Sequence, residues 1–365
     1  MATKLRRSAV AGCRASGTMI APRGMTREIH LMSDFPSRSR RAAIAFASLA
    51  AATTILLTAA DSAAFCRTAT EGLSEGCKPT GKNCCTLGKP IYWKNACIGF
   101  SMHFLPTTKR DISFLLASRT LSQAFGVWTA ASCSGSEGSS RVSIDVRQLP
   151  PVECGDVETD QKTKNQNVIV FRDSVWNHRD PDNVLALTTV SFDKTTGEIR
   201  GADLEFNTAN VPMVCPTVQN AVDKTGEASC FDAPPPKGGF DFASIVTHEV
   251  GHFLGMAHSN NQQATMAAQY QNGEYTLRTL TADDIAGICN AYPPLSPDGT
   301  GYRAAGVEGK DLVRQGPCDP TPLNGFSSVC DPGGCSASGA KSSPLNFFLV
   351  ALATLTLARR RRSPR

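Results

Sequence analysis

Residues 248–258 read His-Glu-Val-Gly-His-Phe-Leu-Gly-Met-Ala-His. On an α-helix, His248 and His252 lie on the same face because they are four residues apart, so both imidazoles can reach one ion. Gly255 is a residue at which this helix can end, since glycine adopts the left-handed conformation without a steric penalty. The chain can then turn and bring in His258 as a third imidazole.

These residue types match the needs of a catalytic zinc ion, which takes three protein ligands and leaves a fourth position for water. We therefore predict one zinc ion on the three histidines. Glu249 follows the first ligand directly, and its carboxylate can accept a proton from the activated water as a general base. The other histidines of the predicted exported part, His103 and His178, have no partner at ligand spacing, so we interpret them as structural or surface groups.

The extended motif resembles that of the metzincins, and the residues after it resemble the matrixins within that clan. Ser259 follows the third histidine, as in matrixins. Met266 occupies the place of the family's Met-turn below the zinc ion. Tyr270 matches the matrixin pattern Met-x-x-x-Tyr, and the resemblance implies a position at the substrate pocket. The resemblance covers roughly residues 90–293.

The resemblance implies an α+β fold: a metzincin-like catalytic domain with a mixed, twisted sheet of about five strands and three main helices. The periodicity of the sequence favours the same class. Helices are predicted after an N-cap at Asp111, near Phe242, and from Thr281 to Tyr292. Strands are predicted near residues 91–104, 142–146, 167–171, 184–192 and 199–206.

The chain departs from the vertebrate matrixins in several places. The ligands of their second, structural zinc ion are missing, so only one zinc ion is expected. Calcium remains open, because Asp180, Asp182 and Asp193 offer oxygen ligands but also fit as solvated loop acids. No Pro-Arg-Cys-Gly propeptide motif occurs, and Ala268 replaces the usual proline of the pocket wall, which leaves the pocket depth open.

The N-terminal residues 1–64 are predicted to be a leader rather than part of the fold. An arginine-rich stretch precedes the apolar run 42–60, and small residues follow it, which is typical of a cleaved export signal. We predict cleavage after Ala64, with Met32 as an alternative start of translation. The other interpretation is an uncleaved N-terminal membrane anchor.

The C-terminal residues 335–365 resemble the tripartite sorting tails of bacterial surface proteins, and their Cys-Ser-x-x-Gly start resembles the myxobacterial type. The apolar segment 345–358 ends at four consecutive arginines, 359–362. The resemblance implies that Cys335 is the processing and lipid-anchoring point, with a dedicated sorting protease as partner. The alternative is that residues 345–358 form an ordinary final helix.

Three further regions are predicted between these ends: a Cys-rich segment 65–90, the catalytic domain 91–293 and a Pro/Gly-rich stalk 294–334. Setting aside Cys335 and the leader leaves twelve cysteines. An exported chain of this kind forms disulfides, and six are possible. The spacing does not reveal which cysteines pair.

The net charge of +5 arises at the two ends, since the leader holds nine Lys/Arg against three Asp/Glu, and residues 344–365 hold five Arg and no acid. The remaining 23 basic and 29 acidic side chains make the rest of the chain mildly acidic. This charge distribution excludes a nucleic-acid-binding function based on overall charge.

The predicted function is an exported zinc endopeptidase, either secreted or held at the cell surface or outer membrane. Its substrates are proteins or peptides, and an extended substrate is expected to lie antiparallel to the edge strand near residues 184–192. One alternative is a zinc-containing surface binding module that does not cut. Another is a zinc hydrolase acting on a non-peptide bond.

Overall fold

A computed structural model describes residues 65–73, 84–95, 97–133, 141–159, 162, 164–216, 228–294, 318–330, 350–352 and 356–357. The predicted leader and Cys335 lie outside these residues. No helix in the described part of the chain has the length and apolar character needed to cross a membrane.

The helices and strands of these residues are labelled in chain order. The α-helices are α1 (Phe114–Thr129), α2 (Phe242–Phe253) and α3 (Ala282–Ala291). The strands are β1 (Cys66–Arg67), β2 (Gly72–Leu73), β3 (Thr86–Leu87), β4 (Cys97–Met102), β5 (Asp145–Gln148), β6 (Val168–Phe171), β7 (Ala186–Phe192), β8 (Ile199–Phe206), β9 (Met213–Val214), β10 (Phe240–Asp241), β11 (Met256–Ala257), β12 (Gln269–Tyr270), β13 (Val350–Leu352) and β14 (Thr356–Leu357).

The main sheet has the strand order β13-β7-β8-β6-β4-β5. Strands β4, β5, β6 and β8 are parallel to one another, whereas β7 runs antiparallel to β8 from Ala186 opposite Phe206 to Phe192 opposite Ile199. These five strands and the three helices confirm the predicted α+β class. The sixth strand, β13, comes from the C-terminal segment and pairs with the outer edge of β7.

Helix α1 begins two residues later than the sequence indicated. Asp111 has a φ of 54° and does not cap the helix. Ser113 is the N-cap instead, and its hydroxyl accepts a hydrogen bond from the backbone N–H of Leu116 at 3.2 Å. Both residue types are good N-caps, so composition alone does not distinguish between them.

At the other end of α1, the indole N–H of Trp128 donates to the carbonyl of Thr247 in α2 at 2.8 Å.

The start of α2 is fixed by a buried ion pair. Asp241 caps the helix by accepting the backbone N–H of Ser244 at 2.9 Å. The same carboxylate receives two hydrogen bonds of 2.7 Å from the guanidinium of Arg278. Asp241 is fully buried, and a buried carboxylate needs such partners to remain charged. The ion pair therefore ties the helix that carries the histidine motif to the segment before α3.

Disulfides cross-link the described part of the chain, and three of them join cysteines more than 150 residues apart in sequence. Cys85 is disulfide-bonded, in agreement with the predicted oxidised state of the exported cysteines. The other pairs in the described residues are Cys66–Cys84, Cys97–Cys318, Cys133–Cys289, Cys154–Cys330 and Cys215–Cys230.

Residues 318–330 lie against the sheet, although the sequence predicted a surface stalk for the region that includes them. Disulfides hold both ends of this segment, and Phe326 packs against the hydrophobic cluster of Val152, Val168 and Val170. The Pro/Gly-rich composition indicated an irregular chain correctly, but it does not reveal that two cysteines attach this chain to the domain.

Gly251 in the middle of α2 is predicted to be irreplaceable for packing reasons. A Cβ atom there would lie 2.2 Å from Sδ of Met266 and 2.8 Å from a ring carbon of Trp128. We expect Gly251→Ala to lower the free energy of unfolding by about 1–3 kcal/mol, as overpacked cores do. Chemical denaturation is the measurement.

The matched control is Gly126→Ala in α1, where a Cβ would meet nothing within 4 Å. This substitution should raise the free energy of unfolding by up to about 1 kcal/mol through helix propensity. Equal stability of the Gly251→Ala and Gly126→Ala variants would contradict the packing argument.

Candidate active site

Three imidazole rings converge where α2 ends. The ring centroid of His252 lies 4.8 Å from that of His248 and 5.0 Å from that of His258, and the centroids of His248 and His258 are 5.2 Å apart. One nitrogen of each ring lies within 4.8 Å of the others, and the two Nε2 atoms of the helical pair are 3.1 Å apart. The structure thus brings together the three residues that the sequence selected as metal ligands.

Backbone carbonyl groups orient two of these rings. Nδ1 of His248 is 2.7 Å from the carbonyl oxygen of Thr265, and Nδ1 of His252 is 2.8 Å from that of Met256. Because a carbonyl only accepts hydrogen bonds, each Nδ1 carries the proton. Each Nε2 therefore presents a lone pair to the centre of the cluster, which is the arrangement that a metal ligand requires.

The rings are also kept neutral by their surroundings. Burial lowers the pKa of His248 to about 4 and that of His258 to about 3, and it lowers the pKa of His252 as well. The neighbouring imidazoles lower the last two further. At neutral pH all three are therefore uncharged, and a divalent cation does not have to displace protons from them.

Glu249 lies beside this cluster and is fully buried. Its Oε2 accepts a hydrogen bond of 2.5 Å from the hydroxyl of Thr188 in β7, and its Oε1 has no hydrogen-bond partner. Burial raises the pKa of this carboxyl to about 8, although the Thr188 hydrogen bond acts in the opposite direction. The contact with Thr188 was not predicted, because nothing in the sequence links the two residues.

The turn to the third histidine depends on Gly255. Its φ is 89°, and a Cβ atom there would lie 2.8 Å from the carbonyl oxygen of Ile91. Its N–H donates to the carbonyl of His252 at 2.9 Å, which ends the helix. The following strand β11 pairs antiparallel with β1, so the first described residues of the chain support the segment that leads to His258.

Met266 is buried against Gly251 of α2, and its role as the Met-turn residue stays a prediction. The carboxylate of Asp284 in α3 holds this turn by accepting the backbone N–H groups of Thr265 at 2.8 Å and Met266 at 3.1 Å. The same carboxylate completes the capping box with Thr281 at the start of α3. The sequence identified the capping pattern, but it gave no sign that the cap also supports the metal centre.

Tyr270 occupies β12, and its ring is buried. Its hydroxyl donates a hydrogen bond to the carbonyl oxygen of Glu274. The ring centroid lies 6.1 Å from that of Phe240, so the residue helps to fix the segment between the Met-turn and α3. Its role in a substrate pocket remains a prediction. Cys335 lies outside the described residues.

His103 and His178, the two histidines interpreted as structural, do not belong to the imidazole cluster and make other contacts. His178 pairs with the carboxylate of Glu205 at 2.8 Å, and Nδ1 of His103 accepts the N–H of Leu105 at 3.4 Å.

A second group with metal-binding residue types consists of Cys154, Glu158 and Cys330. The two cysteines form a disulfide, so they offer no thiolate.

Asp193 and Asp180, two of the three acids considered as calcium ligands, accept hydrogen bonds from residues close to them in sequence. Asp193 accepts the backbone N–H groups of Thr195 and Thr196 at 2.8 and 2.9 Å, which closes the turn between β7 and β8. Asp180 accepts a hydrogen bond from the side chain of Asn183 at 2.6 Å. Calcium binding remains without support.

The cluster itself fits a zinc ion. Nε2 of His258 is buried and has no hydrogen-bond partner, which is costly for a polar atom unless a ligand satisfies it. Three neutral nitrogen donors are a ligand set that zinc prefers in catalytic sites. His248, His252 and His258 would hold the ion, with Oε1 of Glu249 left for a water molecule beside it.

The sequence profile of the matrixin family matches residues 93–293, more than half of the chain. Shorter stretches resemble matrilysin of Homo sapiens (44% identical over 54 residues), stromelysin-1 of Equus caballus (41% over 63 residues) and metalloendoproteinase 1-MMP of Arabidopsis thaliana (39% over 54 residues). These stretches cover 15 or 16% of this chain and 20, 13 and 15% of the respective relatives. The profile match over the folded domain shows that the chain belongs to the matrixin family.

Proposed function

We propose that the protein is an exported zinc endopeptidase that hydrolyses bonds within extended polypeptides. The observation that carries this proposal is the convergence of three neutral imidazoles beside a buried carboxylate. Membership of the matrixin family supports the same reaction class. No observation favours a binding module without catalysis, since such a module has no need for a carboxylate in the position of Glu249.

Each residue of the site has a distinct task in this reaction. Zinc bound to the three histidines would supply a Lewis acid that activates a water molecule and polarises the scissile carbonyl. Glu249 accepts the proton of that water on Oε1 and delivers it to the nitrogen of the leaving amine. Thr188 holds Oε2, so that the other oxygen keeps a fixed direction.

The substrate would bind along the outer edge of β7. The inner edge of this strand pairs with β8 through its whole length, so only the outer edge offers backbone hydrogen bonds to a peptide. A peptide that adds to this edge is held by its main chain, which allows many sequences to bind. Thr188 belongs to the same strand, so a bound peptide passes beside Glu249.

The oxidised cysteines and the sequence of the leader support the proposal of export. Disulfides persist in oxidising compartments and indicate an extracellular protein. We place signal cleavage after Ala64, where small residues follow the apolar run. The tail from Cys335 onwards is proposed to hold the chain at the membrane through its apolar segment until a sorting protease removes it, after which a lipid on Cys335 can keep the enzyme at the cell surface.

We expect the purified protein to contain one zinc ion per chain, and His252→Ala to reduce this to less than about one tenth, because two imidazoles do not complete a stable site. Elemental analysis after dialysis measures the content. His103→Ala is the matched control and should retain the ion. Full zinc content in the His252→Ala variant would refute the assigned ligands.

Replacement of the general base should separate metal binding from catalysis. We expect Glu249→Ala to keep its zinc ion and to cleave casein at least about 100-fold more slowly, since general-base catalysis contributes factors of that size or more. Glu71→Gln on the exposed surface serves as the control and should cleave at the rate of the unsubstituted protein. Undiminished cleavage by Glu249→Ala would exclude the proposed mechanism.

Signal cleavage predicts a defined mature N-terminus. We expect N-terminal sequencing of protein exported by the native host to begin at Phe65, and Ala64→Pro to block this cleavage, because proline does not fit a small-residue cleavage site. Ala59→Pro, farther from the site, tests whether proline in the leader blocks export by itself. A mature chain that still carries residues 42–60 would favour the alternative of an uncleaved anchor.

A further inference from the structure

The C-terminal segment lies where the substrate is expected. Strand β13 pairs antiparallel with β7, with Val350 opposite Val190 and Leu352 opposite Thr188. Strand β14 then pairs in parallel with β12, with Leu357 opposite Tyr270. The segment therefore contacts the edge strand first and the segment after the Met-turn second. Its antiparallel direction along β7 is the one that the sequence analysis predicts for a substrate.

The register places this segment next to the reacting groups. Leu352 is the pairing partner of Thr188, and Thr188 donates its hydroxyl hydrogen bond to Glu249. Paired residues of an antiparallel ladder have their Cα atoms about 4.5–5.5 Å apart. Strand β13 thus lies one strand spacing from Thr188, the residue that holds the carboxylate of Glu249.

Two observations agree with a covered cleft. His248, Glu249 and His252 all have 0% exposure, although a peptidase must admit a polypeptide to these groups. The seven residues of β7 are buried throughout the strand, whereas an open edge strand leaves one row of backbone groups in water. An occupant that completes the edge explains both.

We propose that strands β13 (Val350–Leu352) and β14 (Thr356–Leu357) are intramolecular occupants of the substrate cleft that block the enzyme while the C-terminal tail is attached. This inference rests on the proposed function. It also names the substrate class, since the paired residues read Val-Ala-Leu in β13 and Thr-Leu in β14. A cleft that accepts them takes extended, uncharged and mainly aliphatic peptides through backbone pairing.

The position of Cys335 gives this occupancy a regulatory meaning. Cys335 precedes Val350 by fifteen residues, so cutting at the proposed sorting point separates the occupant from the domain. Strands β13 and β14 also belong to the apolar segment expected at the membrane, and they do not reach the cleft and the membrane at the same time. Sorting of the tail therefore empties the cleft, and activity begins at the final location of the protein.

Proline substitution in the full-length chain tests this proposal. Successive residues of a strand direct their N–H groups to opposite sides. The double variant Val350→Pro/Ala351→Pro therefore removes one ladder donor to β7 whichever residue provides it. The matched control is Ser342→Pro/Ser343→Pro, which places the same two prolines in the tail after the Cys-Ser-x-x-Gly motif and before the paired stretch.

Hydrogen exchange provides a readout that does not depend on catalysis. In the Glu249→Ala background, which prevents cutting of the tail, we expect the β7 amides that face away from β8 to exchange at least about ten-fold faster in the Val350→Pro/Ala351→Pro variant than in the control. Unchanged exchange of these amides would overturn the proposal.

Peptide hydrolysis provides the second readout, with Glu249 intact. A fluorogenic peptide of uncharged aliphatic residues should be cleaved at least about five-fold faster by the Val350→Pro/Ala351→Pro variant than by the control, because an intramolecular competitor has been displaced. Equal rates would count against the block. If no variant cleaves although zinc is bound, the proposed function fails, and hydrogen exchange alone decides whether the tail occupies the cleft.

Discussion

The candidate metal centre depends on the hydrogen bond between His248 and the carbonyl group of Thr265. The carbonyl of Thr265 orients the imidazole, and the N–H of the same residue is held by the carboxylate of Asp284. One acid at the start of α3 therefore fixes a ring in α2 through the backbone of one residue, Thr265. A ligand ring that rotates loses its metal, so this chain of contacts determines whether the site exists at all.

Much of the site could be predicted because its determinants are local in sequence. The spacing of His248 and His252 follows from the pitch of one helix, and Gly255 marks the end of that helix by its backbone freedom. The capping box at Thr281 was visible for the same reason. In contrast, the contact of Thr188 with Glu249 joins residues 61 positions apart and depends on how a strand lies against a helix.

The features that were not predicted arise from pairings between distant parts of the chain. The class of the fold followed from alternating apolar residues, but twelve cysteines allow many sets of disulfides, and sequence gives no distances between them. The apolar segment 345–358 was interpreted as a sorting tail, with a final helix as the alternative. By composition, an aliphatic run of this length fits a membrane, a helix or an edge strand equally well. The outer edge of β7 needs a partner for its backbone groups, and pairing with β13 supplies one.

The disulfides at the two ends of residues 318–330 determine how the protein bears mechanical load. A force applied to the chain beyond residue 330 passes through the covalent bond between Cys330 and Cys154 into the loop after β5. A second bond, between Cys318 and Cys97, secures the segment at the start of β4. An enzyme tethered by its C-terminus and pulled by flow or by a bound fibre would therefore keep this segment on its sheet, since a covalent bond would have to break before the chain peels away.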